Sequence, residues 1–273
     1  MALSNDRWYC TLNTLKAEIG ETTNANDARL SRYIAQASNA IETFTGRTFI
    51  PVTATKLFDA PRDGVQLFLR HEDLLTLTTL TDAAGSIASG SYWLNPANAS
   101  PKHSIVLNTA AAGRGFQYDD GPEQAVSVAG VWGYSDAYAA TGLTLAAAIA
   151  DTTTTAVTFS ASTCEVGWTL LIDSEALFVA GVSGTVATVQ RGVNGTTATT
   201  HLSAAAVYRY TVPADIELAC ISMASYANNV RTGAGVKRET IGEYTIEFGG
   251  ADSGGTIPAS AAATLKRYQR IGA

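Results

Sequence analysis

Residues 27–46 read Asp-Ala-Arg-Leu-Ser-Arg-Tyr-Ile-Ala-Gln-Ala-Ser-Asn-Ala-Ile-Glu-Thr-Phe-Thr-Gly. The apolar side chains recur at helical spacing: Leu30, Ile34, Ala37, Ile41 and Phe44. Asn26 or Asp27 can cap the beginning of this helix, and Gly46 ends it. At 1.5 Å per residue it is about 28 Å long. Its apolar stripe must be buried against other parts of the chain, so this stretch predicts a packed helical core.

Three further segments have the same periodicity. The first is Thr11–Ile19. The second begins at Pro213, which suits the first helical position because its missing N–H would be unpaired there, and it stops at Gly233. The apolar face of that helix is formed by Ile216, Cys220, Met223, Ala227 and Val230. The third runs from Pro258 to about Arg270. We expect the helices at the two ends of the chain to pack together as one bundle.

Between these helices the apolar period changes to two, which predicts strands. The first set of strands is Val52–Phe58, Val65–Leu69, Leu75–Thr81, Tyr92–Leu94, Ile105–Leu107 and Ala125–Trp132. Tyr134–Thr144 is small and polar and is interpreted as a linker. The second set is Val157–Phe159, Thr169–Ile172, Ala176–Val179, Val186–Gln190 and Ala206–Tyr210. Val236–Phe248 alternates around Gly242 and predicts a hairpin.

These elements predict an α+β fold. The N- and C-terminal segments form a helical bundle, accompanied by an antiparallel β region and a small inserted all-β module. Residues 1–140 and 212–273 are expected to form the core, and residues 145–211 the inserted module. The glycine-rich linker Gly249–Gly255 leads to residues 256–273, which we expect to be a mobile C-terminal arm whose removal spares the fold.

The composition excludes several classes of protein. The chain has 273 residues, of which 46% are hydrophobic and 15% charged, with a net charge of −6. A nucleic-acid binder would have a basic footprint, which this chain lacks. The N-terminal residues lack the apolar segment of a signal peptide, and no run of about 18 apolar residues occurs. We therefore expect no signal peptide, no membrane partner and synthesis in a cytoplasm.

A search for reactive groups predicts no catalytic, cofactor or metal site. Cys10, Cys164 and Cys220 are far apart in sequence, and His71, His103 and His201 lie in different segments without partners at the spacing of a triad or a metal site. Cys220 reads as a small buried hydrophobe. Two acidic pairs remain, Asp119-Asp120 and Asp173-Ser174-Glu175. Both are interpreted as solvated turns rather than metal sites.

Five motifs, in this order, resemble the head–tail connector (adaptor) family of long-tailed bacteriophages. The first is Asp27 to Pro51, with Ala37-Ser38, Ile41-Glu42 and Phe44-Thr45-Gly46-Arg47. The others are Val126 to Tyr134, Val212 to Ala219, Lys237 to Tyr244, and Ile257 to Tyr268. The motifs cover most of residues 9–134 and 212–270. The inserted segment departs from the family, whose simple members have little between the Trp-Gly strand and the Pro-led helix.

This resemblance implies a non-enzymatic structural protein of the virion neck, assembled in the host cytoplasm. Family members typically form rings of twelve copies beneath the portal. The ring extends the DNA channel and docks the tail, a tail terminator or a stopper. The C-terminal segment commonly reaches the portal, which makes Leu265, Lys266, Arg267, Tyr268 and Arg270 the expected portal-binding residues. An alternative interpretation, to which we give equal weight, is that the basic residues Lys266, Arg267 and Arg270 complement the negative end of a helix dipole.

Two alternatives remain open. One is another neck, tail completion or decoration protein, in which the inserted module contacts the capsid or the host. The other is an enzyme or a soluble carbohydrate-binding protein. For the adaptor, the acidic charge predicts that DNA passes through the ring without specific binding, because like charges repel.

Overall fold

The computed structural model describes residues 7–232, 238–241, 244–247 and 257–270. The helices are α1 Leu12–Ile19, α2 Asp27–Thr45, α3 Thr109–Ala112, α4 Ala214–Thr232 and α5 Ala259–Leu265, with 3₁₀ turns at Ser89–Ser91 and Lys266–Tyr268. The first strands are β1 Val52–Phe58, β2 Gln66–Phe68, β3 Leu74–Asp82, β4 Gly85–Ser86, β5 Tyr92–Asn95, β6 Ser104–Leu107 and β7 Val126–Trp132. The remaining strands are β8 Tyr138–Thr144, β9 Ala156–Thr158, β10 Thr169–Ile172, β11 Glu175–Ser183, β12 Val186–Gln190, β13 Ala206–Tyr210, β14 Arg238–Ile241 and β15 Tyr244–Glu247. The α+β fold class is confirmed.

The predicted helical bundle is present. The helices α1, α2, α4 and α5 share one core, in which the following side chains are fully buried: Leu15, Leu30, Ile34, Ile41, Ile216, Cys220 and Leu265. Burying side chains of this size typically stabilises a fold by about 1.5–3 kcal/mol each. Apolar residues from both ends of the chain therefore hold the bundle together.

The helix ends are formed by local hydrogen bonds, with two differences from expectation. Thr11 caps α1 by accepting a bond from the Thr14 N–H. Asn26 stands at the N-cap of α2 but makes no side-chain cap, because its amide donates to Glu21 instead. Pro213 lies one residue before α4, and its carbonyl accepts from the Ile216 N–H.

Some predictions fall on residues outside the described part of the chain. They concern the stop at Gly233, the glycine-rich linker Gly249–Gly255 and the two end residues of the hairpin, Val236 and Phe248. Within the described residues, the predicted hairpin is present as the antiparallel pair β14 and β15.

The β region consists of two sheets around one core. The strand orders are β1-β7-β3-β4 and β2-β6-β5. Their buried side chains include Leu67, Leu74, Leu80, Ile105, Val126 and Trp132. In the centre of the first sheet, Gly130 lies so close to β3 that a Cβ there would overlap the Thr76 carbonyl oxygen. Only glycine fits at this position.

The inserted region is a six-stranded sheet of order β8-β13-β10-β11-β12-β9, with a core of its own. The prediction that Tyr134–Thr144 is a linker is wrong over most of its length, since Tyr138–Thr144 forms β8. This strand is small and mostly exposed, and Leu143 is its one buried side chain, so it lacks the alternation that identifies a strand. The sheet thus begins before residue 145, and Tyr138 pairs with Tyr210.

Three contacts fix the six-stranded sheet and its loops to the rest of the molecule. The Leu12 N–H donates to the Val166 carbonyl at 3.2 Å, and the Thr53 N–H donates to the Asn194 carbonyl at 2.9 Å. The rings of Trp8 and Phe178 meet edge to face with centroids 5.3 Å apart. The module is therefore attached along its side as well as through its two chain connections.

No helix in the described ranges combines the length and the hydropathy that crossing a bilayer requires.

Candidate functional site

The C-terminal segment, which holds the predicted portal-binding residues, packs against the bundle of its own chain. Leu265 is fully buried beside α2 and α4. The Tyr268 ring lies 5.6 Å from the Phe49 ring and 5.4 Å from the Tyr134 ring, measured between centroids. These contacts place residues 257–270 in a defined seat between the bundle and the end of β7.

Asp73 is the centre of that seat. Its carboxylate is 2% exposed and accepts 2.9 Å bonds from the guanidinium groups of Arg47 and Arg270. Arg47 also donates to the Tyr268 carbonyl at 2.7 Å, and the Arg270 N–H donates to the Thr45 carbonyl at 3.1 Å. Two guanidinium groups thus neutralise one buried carboxylate and bind the C-terminal segment to α2.

The predicted site residues therefore divide into two groups. Leu265, Tyr268 and Arg270 are occupied by contacts within the chain. Lys266 and Arg267 are exposed, and the Arg267 side chain, 73% exposed, lies 3.6 Å from Asp215. The expectation of a mobile arm that can be removed without loss of fold is corrected accordingly, because its removal would uncover the bundle core and leave Asp73 without one of its partners.

A second exposed feature is the outer side of the three-stranded sheet. Phe68 and Trp93 point to the same side, because Trp93 opposes Val106, Val106 opposes Gln66, and residues two apart on a strand share a face. Their side chains are 58% and 56% exposed.

A groove of about 1030 Å³ borders this side and is lined by Leu57, Phe68 and Tyr118, with Arg62, Arg70 and Glu123 among its charged residues. Leu57 and Tyr118 are also exposed. We call Leu57, Phe68, Trp93 and Tyr118 the aromatic face. Contiguous exposed apolar groups of this kind mark interaction surfaces. The sequence predicted the strands but not which of their residues would lie outside.

The acidic turn of the inserted module differs from its prediction. Asp173 is a turn residue with φ of +52° and an exposed side chain, as expected. Glu175 is instead fully buried and was wrongly placed in a solvated turn. Arg191 donates two bonds to its carboxylate, at 2.6 and 2.8 Å, and the Gly192 and Thr199 N–H groups donate at 2.9 Å. Burial alone would raise the pKa of Glu175, but these bonds, with one from His201, lower the pKa to about 2.

His201 completes this buried cluster. Its Nδ1 lies 2.7 Å from an Asp173 oxygen and its Nε2 lies 2.9 Å from a Glu175 oxygen. With each ring nitrogen facing a carboxylate, and the ring fully buried, no nitrogen is available to a substrate. Together Glu175, Arg191 and His201 join the beginning of β11 to the segment between β12 and β13. Within the described ranges, no group of three or more His, Cys, Asp and Glu residues has the geometry of a metal site.

Comparison with known proteins supports the resemblance through the first of its five motifs, Asp27 to Pro51. Residues 9–70 match the model of the phage gp6-like head-tail connector protein family. This range contains α1, α2, β1 and β2, together with Arg47 and Phe49 of the C-terminal seat. The matched part of the chain is thus similar in sequence to head-tail connector proteins. No curated protein sequence matches the chain.

One solved structure with partial similarity is described as the neck of an empty GTA particle, computed with C6 symmetry. The matched chain there is 22% identical, with a TM-score of 0.33 over 50% of this chain and 68% of that chain.

Proposed function

We propose that the protein is a head–tail adaptor of the virion neck, which forms a ring that joins the portal to the tail, a tail terminator or a stopper. The observation that carries the proposal is the connector family match over residues 9–70. Twelve copies, assembled in the host cytoplasm, would form the ring and extend the channel through which DNA passes. The protein would act by mechanical joining and would not catalyse a reaction.

The aromatic face supports contact between neighbouring copies. A ring needs a heterologous interface, in which one patch on a subunit meets a different patch on the next. Phe68 and Trp93 offer one such patch, with large exposed apolar area on a rigid sheet. Leu218 and Tyr226 are exposed on α4, a different element, and can supply the complementary patch.

The C-terminal segment supports contact with the portal. Lys266 and Arg267 present two positive charges to solvent, while Leu265, Tyr268 and Arg270 hold the segment in place. Such a contact is weak in one copy and strong when many copies of a ring engage together. We assign the direct portal contact to Lys266 and Arg267, and the positioning of the segment to the other three residues.

The net charge and the inserted module also have roles in the proposed ring. A net charge of −6 per copy, repeated around a ring, repels the DNA backbone and limits binding during passage. The inserted module, residues 145–211, would lie on the outer rim, facing capsid or solvent.

The test is reconstitution with the portal protein of the same virus, followed by electron microscopy. We expect a ring of twelve copies beneath the portal with the C-terminal segment at the contact. Replacing Lys266 and Arg267 by alanine should weaken binding at least tenfold. Arg32→Ala, which removes an exposed arginine of α2, should leave it unchanged. A chain that binds no portal, or that lies elsewhere on the particle, would contradict the proposal.

A further inference from the structure

Two cysteines that are 210 positions apart in sequence lie together in the bundle core. The Sγ atoms of Cys10 and Cys220 are 3.4 Å apart, and the Cys10 thiol donates a weak hydrogen bond to the Cys220 sulfur. Both are free thiols, and both are almost fully buried. We propose that Cys10 and Cys220 are a cross-linking site, which closes to an intramolecular disulfide when the protein meets a peroxide oxidant. The inference does not depend on the proposed neck function.

The geometry requires only a small movement. A disulfide has an S–S length of about 2.05 Å, so the two sulfurs must approach by about 1.4 Å. Cys10 lies in a bend just before the Thr11 cap, where the backbone is not held by a helix ladder. Cys220 is on α4, with the Ser38 hydroxyl 3.5 Å from its sulfur. Movement on the Cys10 side can therefore close the gap without disturbing α4.

Cys10 also lines a small cavity next to the pair. A cavity of about 70 Å³ is lined by Cys10 together with Trp8, Trp168, Arg209 and Glu217. This volume holds a molecule slightly larger than water, such as hydrogen peroxide. The hydrogen bond to Cys220 and burial raise the pKa of the Cys10 thiol, so Cys10 is protonated near neutral pH and reacts slowly.

The reaction balances with hydrogen peroxide as the oxidant. The Cys10 sulfur attacks one peroxide oxygen, the O–O bond breaks, and the products are a Cys10 sulfenic acid and one water. The Cys220 sulfur then attacks the Cys10 sulfur, the S–O bond breaks, and the hydroxyl leaves as a second water with the thiol proton. Two thiols are oxidised to one disulfide while one peroxide is reduced to two waters.

Cys164 is a control that the chain already contains. It is buried in the separate core of the inserted module, and burial raises the pKa of its thiol to about 12. It should stay reduced under conditions that close the Cys10–Cys220 pair.

The experiment treats the full-length protein with hydrogen peroxide, blocks the remaining thiols in denaturant, and maps the peptides by mass spectrometry without reduction. The Cys164→Ser variant is treated in parallel. We expect both proteins to lose two hydrogens and to yield a peptide linking Cys10 to Cys220, and we expect dithiothreitol in denaturant to restore the thiols. Recovery of Cys10 and Cys220 as free thiols, as sulfinic acids or in links between two chains would overturn the proposal. Both proteins retain Cys10 and Cys220, so the result does not depend on the folding of a variant that lacks one of these cysteines.

Discussion

Arg270 donates a 2.9 Å hydrogen bond to Asp73, and the two residues are 197 positions apart in sequence. The bond joins the end of the described C-terminal segment to the residue that precedes β3. Arg47 contacts the same carboxylate from the end of α2. One buried acid thus holds together three parts of the chain that meet only in the folded state.

Replacing Asp73 by asparagine should lower the free energy of unfolding by about 2–3 kcal/mol, because two partly buried guanidinium groups would then face a neutral amide. Urea denaturation monitored by circular dichroism measures the change. Asp120→Asn, at an exposed turn, is the control and should change stability by less than about 0.5 kcal/mol. Equal effects of the two substitutions would show that Asp73 does not hold the segment.

In the inserted module, Glu175→Gln should be more damaging than Asp173→Asn, although both residues contact His201. Glu175 is fully buried and neutralises Arg191, so its loss should cost about 3–5 kcal/mol. Asp173 is 63% exposed, and its pair should contribute about 1 kcal/mol or less. Thermal unfolding of both variants gives the comparison, and a reversed order would contradict the structure of the cluster.

The free energy of unfolding of the module should also depend on pH. The pKa of Glu175 is lowered from 4.5 to about 2, so its ionised form stabilises the folded state above about pH 4.5. That contribution should be lost as the pH falls from 4.5 towards 2. The decline should be shallower in Glu175→Gln, since the variant has no carboxyl group to protonate there. Unfolding curves at a series of pH values test this, and parallel declines would count against it.

Gly195→Ala should destabilise the contact between the module and β1. Gly195 has φ of +76°, and a Cβ there would overlap the Thr53 carbonyl oxygen. Both strain and overlap act against the variant, so we expect a loss of about 2 kcal/mol or more. Gly184→Ala is a matched control, with φ of +62° but open space around it. Its loss should be smaller, and hydrogen exchange at the Thr53 amide should rise only in Gly195→Ala.

The joint substitution of Phe68 and Trp93 by serine should weaken ring formation on the portal without unfolding the protein, because both side chains are exposed in the single chain. Light scattering and electron microscopy of portal complexes measure assembly. Leu202→Ser, at an exposed apolar position of the module, is the control. If rings formed equally well in all variants, the neighbouring copies would have to meet elsewhere.

Local patterns predicted most of the elements. The strand bounds Val52–Phe58, Thr169–Ile172 and Val186–Gln190 agree with the structure because clear alternation and turn residues define them. β8 was missed because its small, exposed residues carry almost no periodic signal. The surface role of Phe68 was missed for a different reason, since a short strand does not show which of its faces is covered.

The interactions at the candidate sites could not be predicted in the same way. Glu175 accepts bonds from residues 16 to 26 positions away, and a sequence window around the turn contains none of them. Arg270, which binds Asp73, is 197 positions away from it, and Cys220 is 210 positions away from Cys10. Such pairs depend on how whole elements pack, which residue spacing does not encode.

The chain enters and leaves the six-stranded sheet at neighbouring points, since the Thr211 N–H donates to the Ala137 carbonyl at 2.9 Å. A short peptide between these two positions would suffice to connect β7 to α4 in the absence of the whole sheet. A sheet with this connection can therefore be gained, lost or exchanged at a single position of the chain.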